Sequence, residues 1–303
     1  MRTVNVMNRI AAAVLLVFVC GSAGAKEKPA RPKILGIAAA HFYSTDIPAA
    51  RKFYQLTLHP AEACSWCKQT GAAPILITLP SGQRVTFTQA PAPTPKDLLW
   101  EVTLATDNAK TMKEYLKANG VSVEKSVKGD GAAFTIKDGE GHRLGFVQVA
   151  AGWSPSNTDA LRLMHAGFIF NDRSGADHFY KDILGFHTYW HGGMKEDVDQ
   201  WVAMQVPDGT DWIEYMLRIA PDANKHTRGV MNHMALGVVD IHDTEKRLIA
   251  DGWKPTEQPK VGRDGKWQLN LYDPDETRTE FMEFTPKEKP CCSEFNGTHP
   301  GPK

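Results

Sequence analysis

Residues 161–172, LRLMHAGFIFND, and 211–217, DWIEYML, have near copies downstream at 230–240, VMNHMALGVVD, and 275–284, DETRTEFMEF. A histidine opens each copy (His165, His233) and a glutamate closes it (Glu214, Glu280), 49 residues apart in the first and 47 in the second. Seven residues after each histidine stands an aspartate, Asp172 or Asp240, followed by a helix-like run and a glycine. Packing alone asks for apolar residues at repeated positions, not for an imidazole and a carboxylate at the two ends. The repeat therefore points to metal ligands.

The same outline recurs outside this pair, and a repeated unit sets the fold. Four units each read as a short strand ending near an Asp, an amphipathic helix, a glycine turn and further strands. Unit one starts at 36–58, GIAAAHFYSTDIPAARKFYQLTL, and closes near 83–89, QRVTFTQ. Unit two starts at 98–121, LLWEVTLATDNAKTMKEYLKANGV, and closes at 134–148, FTIKDGEGHRLGFVQ. Units three and four contain the His-to-Glu copies. Helical spacing is visible in Ala176, Phe179, Tyr180, Ile183 and Leu184, with Gly185 as the stop. Alternation at Trp267, Leu269 and Leu271 is the period of a half-buried strand. Proline-containing segments, APAPTPKD at 90–97 and GWSPSNTD at 152–159, separate the units.

The chain of 303 residues carries 35 basic and 35 acidic side chains, so it lacks the basic excess of a nucleic-acid binder. Residues 1–25 read as a secretory signal: two arginines, the short apolar run IAAAVLLVFVC and the small-residue end GSAGA before Lys26. The apolar run is too short to span a bilayer, and no later segment is apolar enough. The expectation is an exported protein, periplasmic or extracellular, without a membrane anchor after cleavage. In an oxidising compartment Cys64, Cys67, Cys291 and Cys292 read as disulfide partners, with three pairings open. One of these ties the tail at Cys291 and Cys292 to the Cys64 loop.

Four strand–helix–strands units with His on a first strand and Glu on a last resemble the vicinal oxygen chelate superfamily. HAGFIFND…FYKDILGF and DPDETRTEF are the motifs that carry the resemblance, which covers roughly residues 33–286. It implies an α+β fold of four βαβββ modules paired into two cup-shaped domains, 33–150 and 161–286. A linker at 151–160 and a flexible Cys/Pro tail at 287–303 complete the organisation. It also implies that metal ligands stand on the first and last strands of each pair of modules. His165, Glu214, His233 and Glu280 form one complete set, suited to a divalent ion such as Zn, Ni, Co, Mn or Fe. The N-terminal pair departs from this pattern, with Ala39 and Glu101 at the two histidine positions. Thr86 or Thr88, depending on register, and Gly145 stand at the two carboxylate positions, so that cup is expected to be metal-free. His41, on the same strand face as Ala39, and His142, in a turn, read as structural or surface histidines rather than ligands.

A metal with two exchangeable positions can take neighbouring oxygens of one small substrate and polarise a carbonyl. Glu214 or Glu280 would then act as both ligand and general base. The implied activity is that of a glyoxalase-like lyase, isomerase or epimerase, in a monomer or homodimer. One alternative is an extradiol-type ring-cleaving dioxygenase, which uses iron with two histidines and a glutamate. There Asn270 stands where the tyrosine is expected, with Tyr272 nearby, and Glu214 is an additional ligand. Another is a non-catalytic binder of the bleomycin-resistance type, with Trp190, Trp201 and Trp212 lining a pocket. His187 and His191 could reach the cup mouth, with surface placement the favoured reading.

Overall fold

The aspartates that follow the repeated histidines have a local role. Asp172 and Asp240 cap helix N-termini, their carboxylates accepting from the backbone N–H groups of Ser174 and Asp243. Asp46 and Asn108 do the same in units one and two, accepting from Ala49 and Thr111. Glycines in the left-handed region end two of the helical runs, Gly120 at φ 80° and Gly185 at φ 78°. The repeated spacing therefore records a capped helix laid back over its own strands.

The computed structural model describes residues 29–58, 68–126, 131–155 and 161–301. The signal reading of 1–25, Cys64 and Cys67 lie outside them. Module one comprises β1 (Ile34–Ser44), α1 (Ile47–Thr57), β2 (Ile75–Thr78) and β3 (Arg84–Gln89). Module two comprises β4 (Leu99–Thr106), α2 (Ala109–Ala118), β5 (Val123–Glu124), β6 (Phe134–Lys137) and β7 (Arg143–Gln148). Module three has β8 (Arg162–Phe170), then α3 (Arg173–Asp177), which widens into π-helical turns over His178–Ile183. It continues with β9 (His187–Gly192), β10 (Trp201–Gln205), β11 (Trp212–Leu217) and α4 (Lys225–Met231). Module four has β12 (Met234–Val238), α5 (Ile241–Ala250), β13 (Lys260–Val261), β14 (Trp267–Tyr272) and β15 (Arg278–Glu283). Among the described residues no helix is long and apolar enough to cross a membrane.

Two mixed sheets result, one per pair of modules. The first has the order β2-β3-β1-β4-β7-β6-β5 and the second β13-β14-β15-β12-β8-β11-β10-β9. In each, the first strands of two modules meet antiparallel at the centre, β1 with β4 and β8 with β12. Each is flanked by the last strand of its own module, in parallel, for example β11 on β8 and β15 on β12. One face of each sheet packs on its helices. Ile47, Ala50 and Tyr54 of α1, with Leu248 of α5, join Phe42, Phe87, Ala166, Phe168 and Phe281 in the core. The opposite face of the second sheet curves around a cup.

The domains are joined by reciprocal polar ties. Tyr54 donates to Asp273 at 2.9 Å, and Tyr180 donates to Asp138 at 3.2 Å. Each aspartate also accepts backbone N–H groups of its own turn, so one carboxylate organises a turn and receives the other domain's helix. Buried Gln83 donates to the carbonyls of Ile37 and Leu163, both at 2.8 Å, and accepts from the Leu163 N–H at 2.9 Å. His142 lies on the same boundary, held by Asp138 at 2.8 Å and stacked on Phe168, a structural role as expected.

The tail from Lys287, expected to be flexible, packs along β9. Trp190 donates to the Cys291 carbonyl (3.1 Å), Asn296 N–H to that of Tyr189 (2.8 Å) and Gln205 to that of Thr298 (2.9 Å). Cys291 and Cys292 are bonded to each other, so neither ties the tail to the Cys64 loop.

Gln83→Ala leaves buried carbonyls and an N–H without partners and should lower the unfolding free energy by roughly 2–3 kcal/mol. Urea denaturation measures this; a loss under about 0.5 kcal/mol would show the tie to be dispensable.

Candidate metal centre

Strand register brings the four predicted ligands together. In β8, His165 faces Ala235 of β12 on one side and Trp212 of β11 on the other. Ala235 in turn lies beside Glu280 of β15, and Glu214 lies beside Gly167. His233 immediately precedes β12 and exchanges both backbone hydrogen bonds with Gly167. The imidazole Nε2 atoms of His165 and His233 are 3.0 Å apart. Glu214 Oε2 is 3.5 Å from each, and Glu280 Oε2 is 3.5 Å and 3.4 Å from them.

The donor atoms of His165, Glu214 and His233 all lie within 4.8 Å of one another, as around one ion, and Glu280 adjoins both imidazoles. Metal–nitrogen bonds of about 2.1 Å at right angles place neighbouring donors roughly 3.0 Å apart. His233 Nδ1–H donates to the Met231 carbonyl at 3.1 Å, which leaves the Nε2 lone pair directed at the centre. That orienting carbonyl comes from the end of α4, a helix with no counterpart in the repeat, and sequence reading did not find it. Gly167 is required by the same geometry. A Cβ there would fall 2.4 Å from the His233 ring. His165 stacks on Trp212, with ring centroids 4.7 Å apart.

Protonation states favour cation binding as well. Burial, followed by the nearby Arg278 guanidinium, lowers His233 to about 3, so its imidazole is neutral at ordinary pH. Burial alone would raise Glu280, but Arg278 and the two imidazoles outweigh it and hold the carboxyl well below its usual range. Glu214 is raised, first by burial and then by the charge of Glu280, with His165 opposing. Its side chain remains 13% exposed, against 3% for Glu280.

The centre opens into a cavity of about 450 Å³ walled by Tyr189, Trp190, Trp201, Trp212 and Phe295. Asn270 and Tyr272 both line it. Tyr272 donates to Glu257 at 2.7 Å, and Asn270 Oδ1 is buried without a partner among the described residues. His187 and His191 do not line it; His191 pairs with Asp199 at 2.8 Å in a separate surface recess.

Sequence reading passed over two cations. Arg278, two residues before Glu280 on the same strand face, places Nη2 at 2.6 Å from His233 Nε2 and 3.6 Å from Glu280 Oε2. Lys266 is fully buried among the rings of Tyr189, Trp212 and Phe295, and burial lowers its ammonium to about 8. Arg278 was open to discovery from period-two alternation; Lys266 carries no motif.

The N-terminal sheet repeats the register with different side chains. Ala39 faces Thr103, Thr103 lies beside Gly145, and His41 lies beside Thr86 and Glu101. Ala39, Glu101 and Gly145 thus occupy the positions of His165, His233 and Glu280, and Thr86 rather than Thr88 corresponds to Glu214. His41 stands where the second sheet has Gly167. Its nitrogens meet the Thr86 and Thr103 hydroxyls at 2.7 and 3.1 Å, while Glu101 accepts from Thr103 and Thr135, both at 3.3 Å. A satisfied hydroxyl network takes the place of a ligand set. Burial, then Arg84, lowers His41 to about 4.

Residues 162–281 match the family described as the Glyoxalase/Bleomycin resistance protein/Dioxygenase superfamily. The C-terminal domain therefore belongs to this superfamily, and the N-terminal sheet repeats its paired-module fold. No curated protein matches the sequence. Solved structures of similar fold include the 2,3-dioxygenase LapB from Pseudomonas sp. KL28, with TM-score 0.63 and 11% identity over 89% of this chain and 95% of that one. A homoprotocatechuate 2,3-dioxygenase from Arthrobacter globiformis gives TM-score 0.61 and 16% identity over 84% and 80%. An extradiol ring-cleaving dioxygenase from B. fuscum gives 0.62 and 17% over 90% and 77%.

Gly167→Ala should displace the His233 ring and lower metal occupancy at least tenfold while the fold is retained; metal analysis alongside circular dichroism tests this. His41 should also make stability acid-sensitive. Its folded value lies below the unfolded 6.5, so its contribution is complete above pH 6.5 and declines as pH falls toward 4. His41→Gln should flatten the urea-midpoint profile across that window, and an unchanged slope would exclude the role.

Proposed function

We propose that this member of the glyoxalase/dioxygenase superfamily is a metal-dependent lyase, isomerase or epimerase. Its substrate is a small molecule with oxygens on adjacent carbons. The observation that carries the reading is the convergence of four donors, His165, Glu214, His233 and Glu280, within 3.0–3.5 Å of the imidazole nitrogens. Residues 1–25 support action after export, in the periplasm or outside the cell.

A divalent ion bound to these side chains supplies Lewis acidity toward a substrate carbonyl. The chain supplies the rest. Glu280, flanked by Arg278 and both imidazoles, is the carboxylate held in place as a ligand. Glu214 is less enclosed, reaches the cavity and takes the role of base. It accepts the proton from the carbon next to the carbonyl as the C–H electron pair moves toward the carbonyl oxygen. Returning that proton to the former carbonyl carbon, while the hydroxyl proton on the first carbon passes to the former carbonyl oxygen, completes an isomerisation; protonation of the first carbon by a second acid from the opposite face would complete an epimerisation. The aromatic walls orient the substrate and exclude water.

A second reading is favoured by the solved structures of similar fold, which are ring-cleaving dioxygenases. Iron bound to His165, His233 and Glu280, acting on a catechol, fits the aromatic cavity. Asn270 in place of a tyrosine, and a carboxylate at Glu214, weigh toward the first reading.

Metal analysis of the mature protein should find about one ion per chain, and His233→Ala or Glu280→Ala should lose it. Unchanged content in both variants would overturn the site. Glu214→Gln should slow solvent deuterium exchange into substrate by roughly 10²- to 10⁴-fold. Iron dependence with oxygen uptake on catechols would instead establish ring cleavage.

A further inference from the structure

Among the described residues three cations border the cavity, and two are already engaged at its edge. Lys260 lies 3.3 Å from Glu257, and Arg263 donates to the Gly193 carbonyl at 3.1 Å and contacts Cys291 Sγ. Arg278 differs from both. It lies among the metal ligands, its side chain is 13% exposed, and its Nε is buried without a partner among the described residues. Its Nη2 rests on the lone pair of His233 Nε2 at 2.6 Å, and Glu280 Oε2 is 3.6 Å away.

Nε and Nη2 are the two N–H groups along one edge of the guanidinium. That edge is the fork that receives both oxygens of a carboxylate. When an ion is bound through His233 Nε2, the lone pair that Nη2 now uses is committed elsewhere. Glu280, also a ligand, lies beyond ordinary hydrogen-bond distance. A largely enclosed guanidinium with one edge unsatisfied is costly, and an anionic group on the ligand relieves that cost. Tyr189, Trp190, Trp201 and Trp212 offer apolar surface for the remainder of such a molecule.

We propose that the substrate is a carboxylic acid with an apolar or aromatic body, and that the Nε–Nη2 edge of Arg278 receives its carboxylate beside the metal ligands. The inference rests on the metal-centre reading above. It sets the substrate's charge and places its carboxylate next to the oxygens that the metal chelates. Arg278 is thereby a specificity residue, beyond any part it has in balancing Glu280.

Calorimetric titration of the zinc-loaded mature protein with salicylate and with salicylamide, its neutral analogue, tests the assignment. Wild type should bind the acid roughly tenfold or more tightly than the amide, as a charge-assisted fork implies. Arg278→Gln, compared per zinc-bearing chain, should bring the ratio near one, and Arg278→Lys, which keeps the charge without the fork, should retain only part of it. Equal binding of acid and amide by wild type overturns the proposal, as does a zinc-bearing Arg278→Gln that keeps the preference. Should Arg278→Gln fail to fold, a lysine variant with the full preference overturns the fork. Zinc content measured on each sample separates the two readings. Wild type that holds no zinc or other divalent ion overturns the metal centre and this inference together, whereas metal-bearing wild type without the preference overturns only the role of Arg278.

Discussion

The centre depends on one close approach, the His233 ring against the bare backbone of Gly167. Both backbone hydrogen bonds between these residues hold the chain entering β12 against β8. Without a side chain at 167, the ring passes over β8 and points Nε2 at His165. The other positions follow from register. Glu214 arrives because β11 runs parallel beside β8, and Glu280 because β15 runs parallel beside β12. The Met231 carbonyl then selects the tautomer in which Nε2 is the acceptor, here met by Arg278 Nη2.

The N-terminal sheet shows what the same backbone does when that approach is filled. His41 occupies the Gly167 position, and the glycine is instead at 145, where a Cβ would meet Glu101 Oε1 at 2.7 Å. Glu101 turns into the resulting space and collects hydroxyl donors from Thr103 and Thr135, with Arg143 Nε at 3.4 Å. Both sheets thus bury polar groups at their central seam. The N-terminal sheet pairs His41 and Glu101 with hydroxyls; the C-terminal one sets two imidazoles and two carboxylates against one another, the arrangement of a candidate ligand set. Reciprocal ties from Tyr54 to Asp273 and from Tyr180 to Asp138 hold the two halves together, so the N-terminal domain buttresses the helices and turns behind the C-terminal cup.

The tail and the charged residues of the cup add a second layer. Segment 288–301 brings Phe295 to the cavity wall and bonds to Tyr189, Trp190 and Gln205 on neighbouring strands. Lys266 sits beneath this wall, its ammonium facing three aromatic rings in place of water. The cup therefore combines an aromatic enclosure with a positive charge at Arg278, a composition suited to an anion with an apolar body.

The primary structure by itself determined the modules and the candidate ligand set. Capping aspartates, glycine stops and strand alternation are local signals, and the His-to-Glu repeat names the donors because each sits at a fixed place in its module. Reading along one strand also revealed that Ala39 and Gly145 had lost theirs. Only the tertiary structure decided the rest. Thr86 rather than Thr88 follows from pairing between strands far apart in the chain. The Met231 acceptor, the Lys266 burial site and the docked tail depend on contacts that leave no periodic trace. Alternation sets Arg278 on the face of Glu280, but its reach to His233 appears only when β15 is set beside β12, where neighbouring strands lie about 4.8 Å apart. Local spacing is written in the chain, whereas proximity between modules arises only when the sheets close around the cup.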